Sequence, residues 1–340
     1  MTPSPKNGPK PRKRKPLLPP EAYLKGIRKG DRVVLGQAIT LLESHKPEHA
    51  SLGRQVVEAC LPHSGRSIRI GITGAPGVGK STFIEALGMF LIEKGHRVAV
   101  LAIDPSSQQS KGSILGDKTR MSQLSAHEQA FIRPSPAGES LGGVARKTRE
   151  TILLCEAAGY DHIIVETVGV GQSETAVHSM VDFFVLLLLP GAGDELQGIK
   201  RGIVEMADLL AVNKADSDRL GLARETQRSY QKALHLFPPK ENNWTPPVLR
   251  CSALQGQGIE EIWDSVGQFQ METNESGYFQ RHRQAQAKYW LREFISDKLE
   301  QLFFENPSVK EQWKLTEHKV IKGEWSSIKA GEYLLDLFLK

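Results

Sequence analysis

The chain alternates short apolar runs with stretches of helical spacing. Six runs read as strands: IRIGIT (68–73), RVAVLAI (97–103), HIIVET (162–167), DFFVLLLL (182–189), LLAVNK (209–214) and PVLRCS (247–252). Their apolar residues run continuously rather than alternating, which is the pattern of strands buried on both faces. Between them lie segments of period 3.6, such as Phe83, Leu87, Phe90 and Leu91 after the first run. Strand and helix in alternation predict an α/β fold with a doubly covered, mostly parallel sheet from about residue 64 to 270. Three helical runs precede it within residues 21–62. After Gly277 the pattern changes. Residues 280–304 carry Trp290, Leu291, Phe294, Ile295, Leu299, Leu302 and Phe303 as one apolar stripe, and no strand follows. This predicts a helical appendage whose stripe either packs on the sheet or joins a second copy.

The first strand runs into GAPGVGKST (74–82). Strand, glycine loop and helix in this order make a phosphate cradle. Gly74, Gly77 and Gly79 let backbone N–H groups turn inward, with Ala75, Pro76 and Val78 completing the loop and Thr82 opening the helix. Lys80 reaches β- and γ-phosphates, and the Ser81 hydroxyl is placed for Mg²⁺. A dinucleotide fingerprint fails on spacing, because Thr82 stands where its third glycine belongs.

Composition narrows the setting. The 340 residues carry a net charge of +5, but residues 1–20 hold six Lys/Arg and no acid, so the remainder sums to +5 − 6 = −1. The basic character belongs to a Pro/Lys-rich tail expected to be disordered and solvated, which makes nucleic acid an unexpected partner. The three cysteines, Cys60, Cys155 and Cys251, form no C-x-x-C pair and the ten histidines no tract, which argues for a reducing compartment and against structural zinc. The tail lacks the apolar run of a secretory signal, and the strand at 182–190 is too short to span a bilayer. A cytoplasmic location is expected.

NKAD (213–216) ends the fifth run. Asp216 can accept from the N1–H and exocyclic amine of guanine, whereas adenine would set an acceptor against the carboxylate. Lys214 can cover the base with its stem, and Asn213 can tie this loop to the phosphate loop. CSALQGQG (251–258) then supplies Ser252, Ala253 and Leu254 beside the base. The third run ends in ETVGVGQ, with Glu166 available to Mg²⁺ and Gly169 available to the γ-phosphate. Val170 stands where many GTPases carry a water-orienting Gln, so intrinsic hydrolysis should be slow; Gln172 is a weak substitute. Asp104, at the end of the second strand, is a candidate Mg²⁺ neighbour or water positioner, and Asp117 lies in the Gly/Ser-rich loop after it. PGAGDELQGIKRG (190–202) holds four glycines and the charged Asp194, Glu195, Lys200 and Arg201, and reads as a further moving element.

Together GAPGVGKST, DPSS…GSILGDKTRM, RPSPAGESLGGVARKTRE, ETVGVGQSE, LPGAGDELQGIKRG and NKAD resemble the MeaB/ArgK family of P-loop GTPases over roughly residues 21–335. The resemblance implies a GTP/GDP- and Mg²⁺-binding G domain (63–272) between an N-terminal helical extension (21–62) and a C-terminal arm (273–340) that forms a homodimer. It implies a chaperone that gates cobalamin loading of an adenosylcobalamin-dependent acyl-CoA mutase, such as methylmalonyl-CoA mutase, and protects or reactivates it. Lys80, Asp104, Glu166 and Lys200 would then be catalytic. Ser81, Asp104 and Glu166 would serve the metal, and Asp117, Asp194, Glu195 and Lys200 would couple the partner. A metal-insertion GTPase and, more remotely, an ATP-dependent protein kinase are the alternatives.

Overall fold

The computed structural model describes residues 17–103, 120–134, 141–167, 173–191 and 201–339. The chain divides into two compact units. One comprises the chain up to Ser67 together with Glu150–Asp161, the other Ile68–Arg149 and the chain from His162 onward.

The larger unit is built on seven parallel strands in the order β3-β2-β4-β1-β5-β6-β7: β1 Ile68–Gly74, β2 Val98–Ile103, β3 Ala130–Arg133, β4 His162–Thr167, β5 Phe183–Leu188, β6 Leu209–Val212 and β7 Val248–Arg250. Every residue of β2, β4, β5 and β6 is buried, as sequences this largely apolar require, and β4 buries His162, Glu166 and Thr167 among them. On one face Phe83, Leu87 and Leu91 of α4 (Lys80–Glu93) pack with Ile262, Val266 and Phe269 of α10 (Ile259–Glu275) against Ile70, Ile72, Val100, Ile164 and Val185. On the other, α8 (Arg201–Met206) and α9 (Leu220–Leu234) bring Val204, Ala223 and Tyr230 against Leu186, Leu188, Leu210 and Val212. The short α7 (Ser173–His178) lies over β1. A Cβ on Gly71 would come within 3.0 Å of Val177 and 2.5 Å of Phe184, so only glycine admits that approach.

Two strand expectations are corrected. β3 was not expected: its apolar core is only AFI, between His-Glu-Gln and Arg-Pro, and as an edge strand it needs no longer run. β6 ends at Val212 rather than at 214, because Lys214 turns to φ 57° and takes the backbone out of the ladder. Among the described residues between β2 and β4, α5 (Ser122–Ala126) precedes β3 and α6 (Leu141–Ala157) follows it.

The C-terminal segment is helical throughout: α11 (Tyr278–Glu305), α12 (Pro307–Ile321) and α13 (Ser327–Phe338). Gly277, at φ 66°, turns the chain from α10 into α11. Three positions on one face of α11 hold the segment just after α7. Arg283 donates to both Asp182 carboxylate oxygens at 2.7 and 2.6 Å, Gln286 to the Val181 carbonyl at 2.7 Å and the Trp290 indole to the Ser179 carbonyl at 3.0 Å. The stripe therefore divides. Trp290 packs on the sheet unit, whereas Leu291, Phe294, Ile295, Leu299 and Leu302 are exposed. No helix among the described residues is long and apolar enough to cross a membrane.

The smaller unit carries the three expected N-terminal helices, α1 (Pro20–Arg28), α2 (Arg32–Glu43) and α3 (Pro47–Cys60). Proline opens α1 and α3, and Asp31 caps α2 by accepting from Val33 and Val34 N–H at 2.9 and 3.1 Å. Tyr23, Ile27, Leu35, Ile39 and Val56 are buried in it, and Glu156 accepts from Gly65 N–H and Ser67 Oγ at 2.7 and 2.6 Å.

All three cysteines are free and buried; burial pushes the Cys60 thiol up to about 11 and the Cys251 thiol up to about 12. Native protein at pH 8 should therefore leave its thiols unmodified by an aromatic disulfide reagent over minutes, and titrate three in urea. Rapid native labelling would contradict this burial. Asp182→Ala would remove the one carboxylate that holds both the Arg283 guanidinium and the Arg69 N–H. A loss of roughly 3–5 kcal/mol is expected in urea unfolding, and a loss under about 1 kcal/mol would mean the arm is not anchored there.

Candidate nucleotide site

All seven strands run the same way, so their C-terminal ends share one edge. β4 is inserted between β2 and β1, where the order of winding reverses and open α/β sheets collect ligands. The 74–82 loop leaves β1 at this point. Gly74 has φ 151°, and a Cβ there would lie 2.6 Å from the Leu187 carbonyl; Gly79 has φ 94°, and a Cβ would lie 2.8 Å from the Asn213 amide nitrogen. The two glycines permit contacts that no side chain could share. Val78 points inward and is fully buried, fixing the middle of the loop to the core.

Lys80 opens α4 and donates to the Gly74 carbonyl at 2.8 Å, curling its ammonium back over the loop. Burial lowers its pKa from the ordinary lysine value, while the carboxylates of Glu166 and Glu174 act in the opposite sense. Glu166 is buried in β4, in register with Ile72 of β1 and Ala102 of β2, and its Oε1 lies 3.5 Å from Ser81 Oγ. A serine hydroxyl and a carboxylate side by side are hard oxygen donors of the kind Mg²⁺ takes, so these residues fit the metal that the phosphate loop implies.

The second half of the site comes from the ends of β6 and β7. Asn213 is buried, and its side chain touches two loops. Its Nδ2 donates to the Val78 carbonyl at 2.9 Å; its Oδ1 accepts from Ala253 N–H at 3.1 Å and from the Cys251 thiol at 3.6 Å. Lys214 spans the phosphate loop and donates to the Gly77 carbonyl at 2.7 Å. Asp216 accepts from Ser252 Oγ at 2.6 Å, which fixes the carboxylate that would meet a base. The 251–258 loop is closed by paired backbone bonds between Ser252 and Gln257 at 2.9 and 3.1 Å, and Leu254 stands exposed at its tip.

The structure thus brings together Gly74–Thr82, Glu166, Asn213, Lys214, Asp216, Ser252, Ala253 and Leu254. Asp104, Asp117, Gly169, Val170, Gln172, Asp194, Glu195 and Lys200 lie outside the described residues. Glu174 was assigned no role from the sequence. It sits buried in the first turn of α7, within electrostatic reach of Lys80. An acid opening a helix just after a glycine-rich loop was the signal available.

A phosphate loop on a parallel sheet, bridged by an asparagine to an aspartate-bearing base loop, defines a P-loop GTPase. The chain belongs to the family described as methylmalonyl Co-A mutase-associated GTPase MeaB, whose pattern matches residues 35–308. It is 48% identical to GTPase ArgK of Escherichia coli, over 86% of this chain and 88% of that protein. It is also 48% identical to the mitochondrial methylmalonic aciduria type A homolog of mouse, over 92% of this chain and 78% of that protein. Among solved structures, a protein described as LAO/AO transport system kinase superposes with a TM-score of 0.75 at 40% identity, covering 94% of this chain and 98% of that one.

Asn213→Ala removes the bridge and leaves the Val78 carbonyl and Ala253 N–H without it. GDP affinity should fall about 100-fold, measured with a fluorescent GDP analogue, because each orphaned buried group costs about 1–3 kcal/mol. A change under about threefold would mean that the loops hold their positions independently.

Proposed function

We propose that this GTPase is a Mg²⁺-dependent switch that serves an adenosylcobalamin-dependent acyl-CoA mutase, with methylmalonyl-CoA mutase the first candidate. It gates cobalamin loading and protects or reactivates the mutase. The observation that carries the nucleotide half of this reading is the Asn213 side chain bonded at once to the phosphate loop and the base loop. The client rests on family membership and on the name of the mouse relative.

In this reading the N–H groups of Gly74–Thr82 hold the phosphates and Lys80 moves from the Gly74 carbonyl to the β/γ oxygens. Asp216 and Lys214 receive guanine, with Ser252, Ala253 and Leu254 behind it. Ser81, Glu166 and Asp104 hold Mg²⁺, which when bound neutralises charge between the β- and γ-phosphates. Gly169 meets the γ-phosphate, and Asp117, Asp194, Glu195 and Lys200 couple hydrolysis to the client. With valine at 170, turnover stays slow until the client is bound. The exposed Leu291, Ile295, Leu299 and Leu302 of the 273–340 arm support a homodimer, since a run of apolar residues along one helix asks for cover. The protein works in the cytoplasm, with residues 21–62 and 63–272 as helical extension and G domain.

Phosphate release from GTP should rise at least about tenfold when the mutase of the same organism is added. Lys80→Ala should abolish release in both conditions. Lys200→Ala should retain the basal rate and lose the stimulation. An unstimulated wild type that forms no complex with the mutase would overturn the client; equal competition by ATP would overturn the guanine site. Light scattering should give twice 37.7 kDa. The double variant Ile295→Glu, Leu299→Glu should give the monomer, and an unchanged dimer would place the interface elsewhere.

A further inference from the structure

Strands β1 and β4 lie side by side and part at the nucleotide edge. Their register runs from Ile68 opposite His162 to Ile72 opposite Glu166. Beyond that pair β1 follows β5, to Gly74 opposite Leu187, while β4 follows β2, to Ile103 opposite Thr167. Among the described residues, side chains cross from β4 to the β1 side at this point. Glu166 Oε1 lies 3.5 Å from Ser81 Oγ, at the start of α4. Its neighbour Thr167 donates through Oγ1 to Thr73 Oγ1 at 2.9 Å and lies 3.5 Å from the Ile72 carbonyl. Successive residues of a strand point to opposite faces, so the two contacts brace the parting strands from two sides. Thr73 and Thr167 are 2% and 0% exposed, out of reach of bulk water. Thr73 stands directly before the phosphate loop, and Thr167 directly after Glu166. Two apolar side chains would fill the same space; the hydrogen bond adds a fixed distance and direction.

We propose that Thr167 is a positioning residue for the Mg²⁺ site, its hydroxyl bond to Thr73 holding Glu166 at its place beside Ser81. The inference rests on the Mg²⁺-dependent reading of the nucleotide site. Mg²⁺ accepts oxygen donors only close to octahedral positions at about 2.0–2.1 Å, directly or through its waters, so a small shift of the carboxylate weakens the site. Thr167 itself offers nothing to the cation or to the nucleotide, because its hydroxyl is spent on Thr73. Loosening the pair frees the end of β4 to move against β1, and Glu166 moves with it. The phosphate loop keeps its own anchors, the buried Val78 side chain and the bonds from Asn213 and Lys214. The pair therefore controls the metal-dependent part of nucleotide binding and leaves the rest alone.

The test measures binding of a fluorescent GDP analogue across a Mg²⁺ titration and in EDTA. It compares wild type, Thr167→Ser, Thr167→Val and the double variant Thr73→Val, Thr167→Val. Valine keeps the shape of threonine and removes the hydroxyl; serine keeps the hydroxyl. In Thr167→Val the half-saturating Mg²⁺ concentration should rise at least fivefold, with the affinity in EDTA within twofold of wild type. Thr167→Ser should stay within twofold in both. The double variant orphans no hydroxyl, so its urea midpoint should return toward wild type while the Mg²⁺ shift remains. A purely structural role would restore both. An unchanged Mg²⁺ requirement in Thr167→Val, a shift that the double variant reverses, or an equal fall in affinity with and without Mg²⁺ would overturn the inference. If Thr167→Val fails to fold, the double variant carries the same comparison. A wild type whose GDP affinity ignores Mg²⁺ would overturn the Mg²⁺ reading itself, and this inference with it. Failure of wild type to bind the analogue at all would overturn the guanine site.

Discussion

The nucleotide edge depends on one buried carboxamide. Asn213 is the only side chain among the described residues bonded to both the phosphate loop and the 251–253 loop, 135 residues back and 40 residues on. Its position is demanding. It requires β6 to end at Val212, so that Asn213 leaves the ladder with its N–H on the Leu188 carbonyl. It requires no Cβ at Gly79, where the amide nitrogen takes the space. It also requires the Val78 carbonyl to face it, which the buried Val78 side chain enforces. With these met, two loops from different strands become one rigid cradle, and the cost of orienting them falls on folding rather than on binding.

That cradle in turn requires the sheet. Parallel strands place every strand's C-terminal end at one edge, and only strands buried on both faces can be packed by α4 and α10 from one side and α8 and α9 from the other. The same requirement makes the strands continuous apolar runs, so the element that builds the site is also the one most visible in the sequence. IRIGIT, HIIVET and DFFVLLLL could be read directly. AFIR could not, because an edge strand of four residues between polar neighbours carries too little periodic signal.

The site was legible to the extent that its chemistry is local. GAPGVGKS carries its own backbone geometry, and NKAD its own hydrogen-bonding logic. What stayed hidden were partners far apart in sequence. Nothing in the spacing pairs Asp182 with Arg283, 101 residues on, or Asp216 with Ser252. Nor does it set Glu174 against Lys80, although both stand in stretches whose pattern was recognised. The arm shows the same limit. Its stripe was visible as a stripe, but only the fold separates Trp290, bonded to Ser179, from the exposed leucines beyond it.

The two short helices beyond the nucleotide edge share one design. Each has its C-terminal end pinned. The segment after α7 is held to α11 by Arg283, Gln286 and Trp290. The last carbonyl of α8, that of Met206, and the next one, that of Ala207, accept from Lys240 at 3.2 and 2.8 Å, while Lys240 also pairs with Asp208 at 2.8 Å. Six residues of helix span only about 9 Å. For α7 that pinned end is the root of the arm.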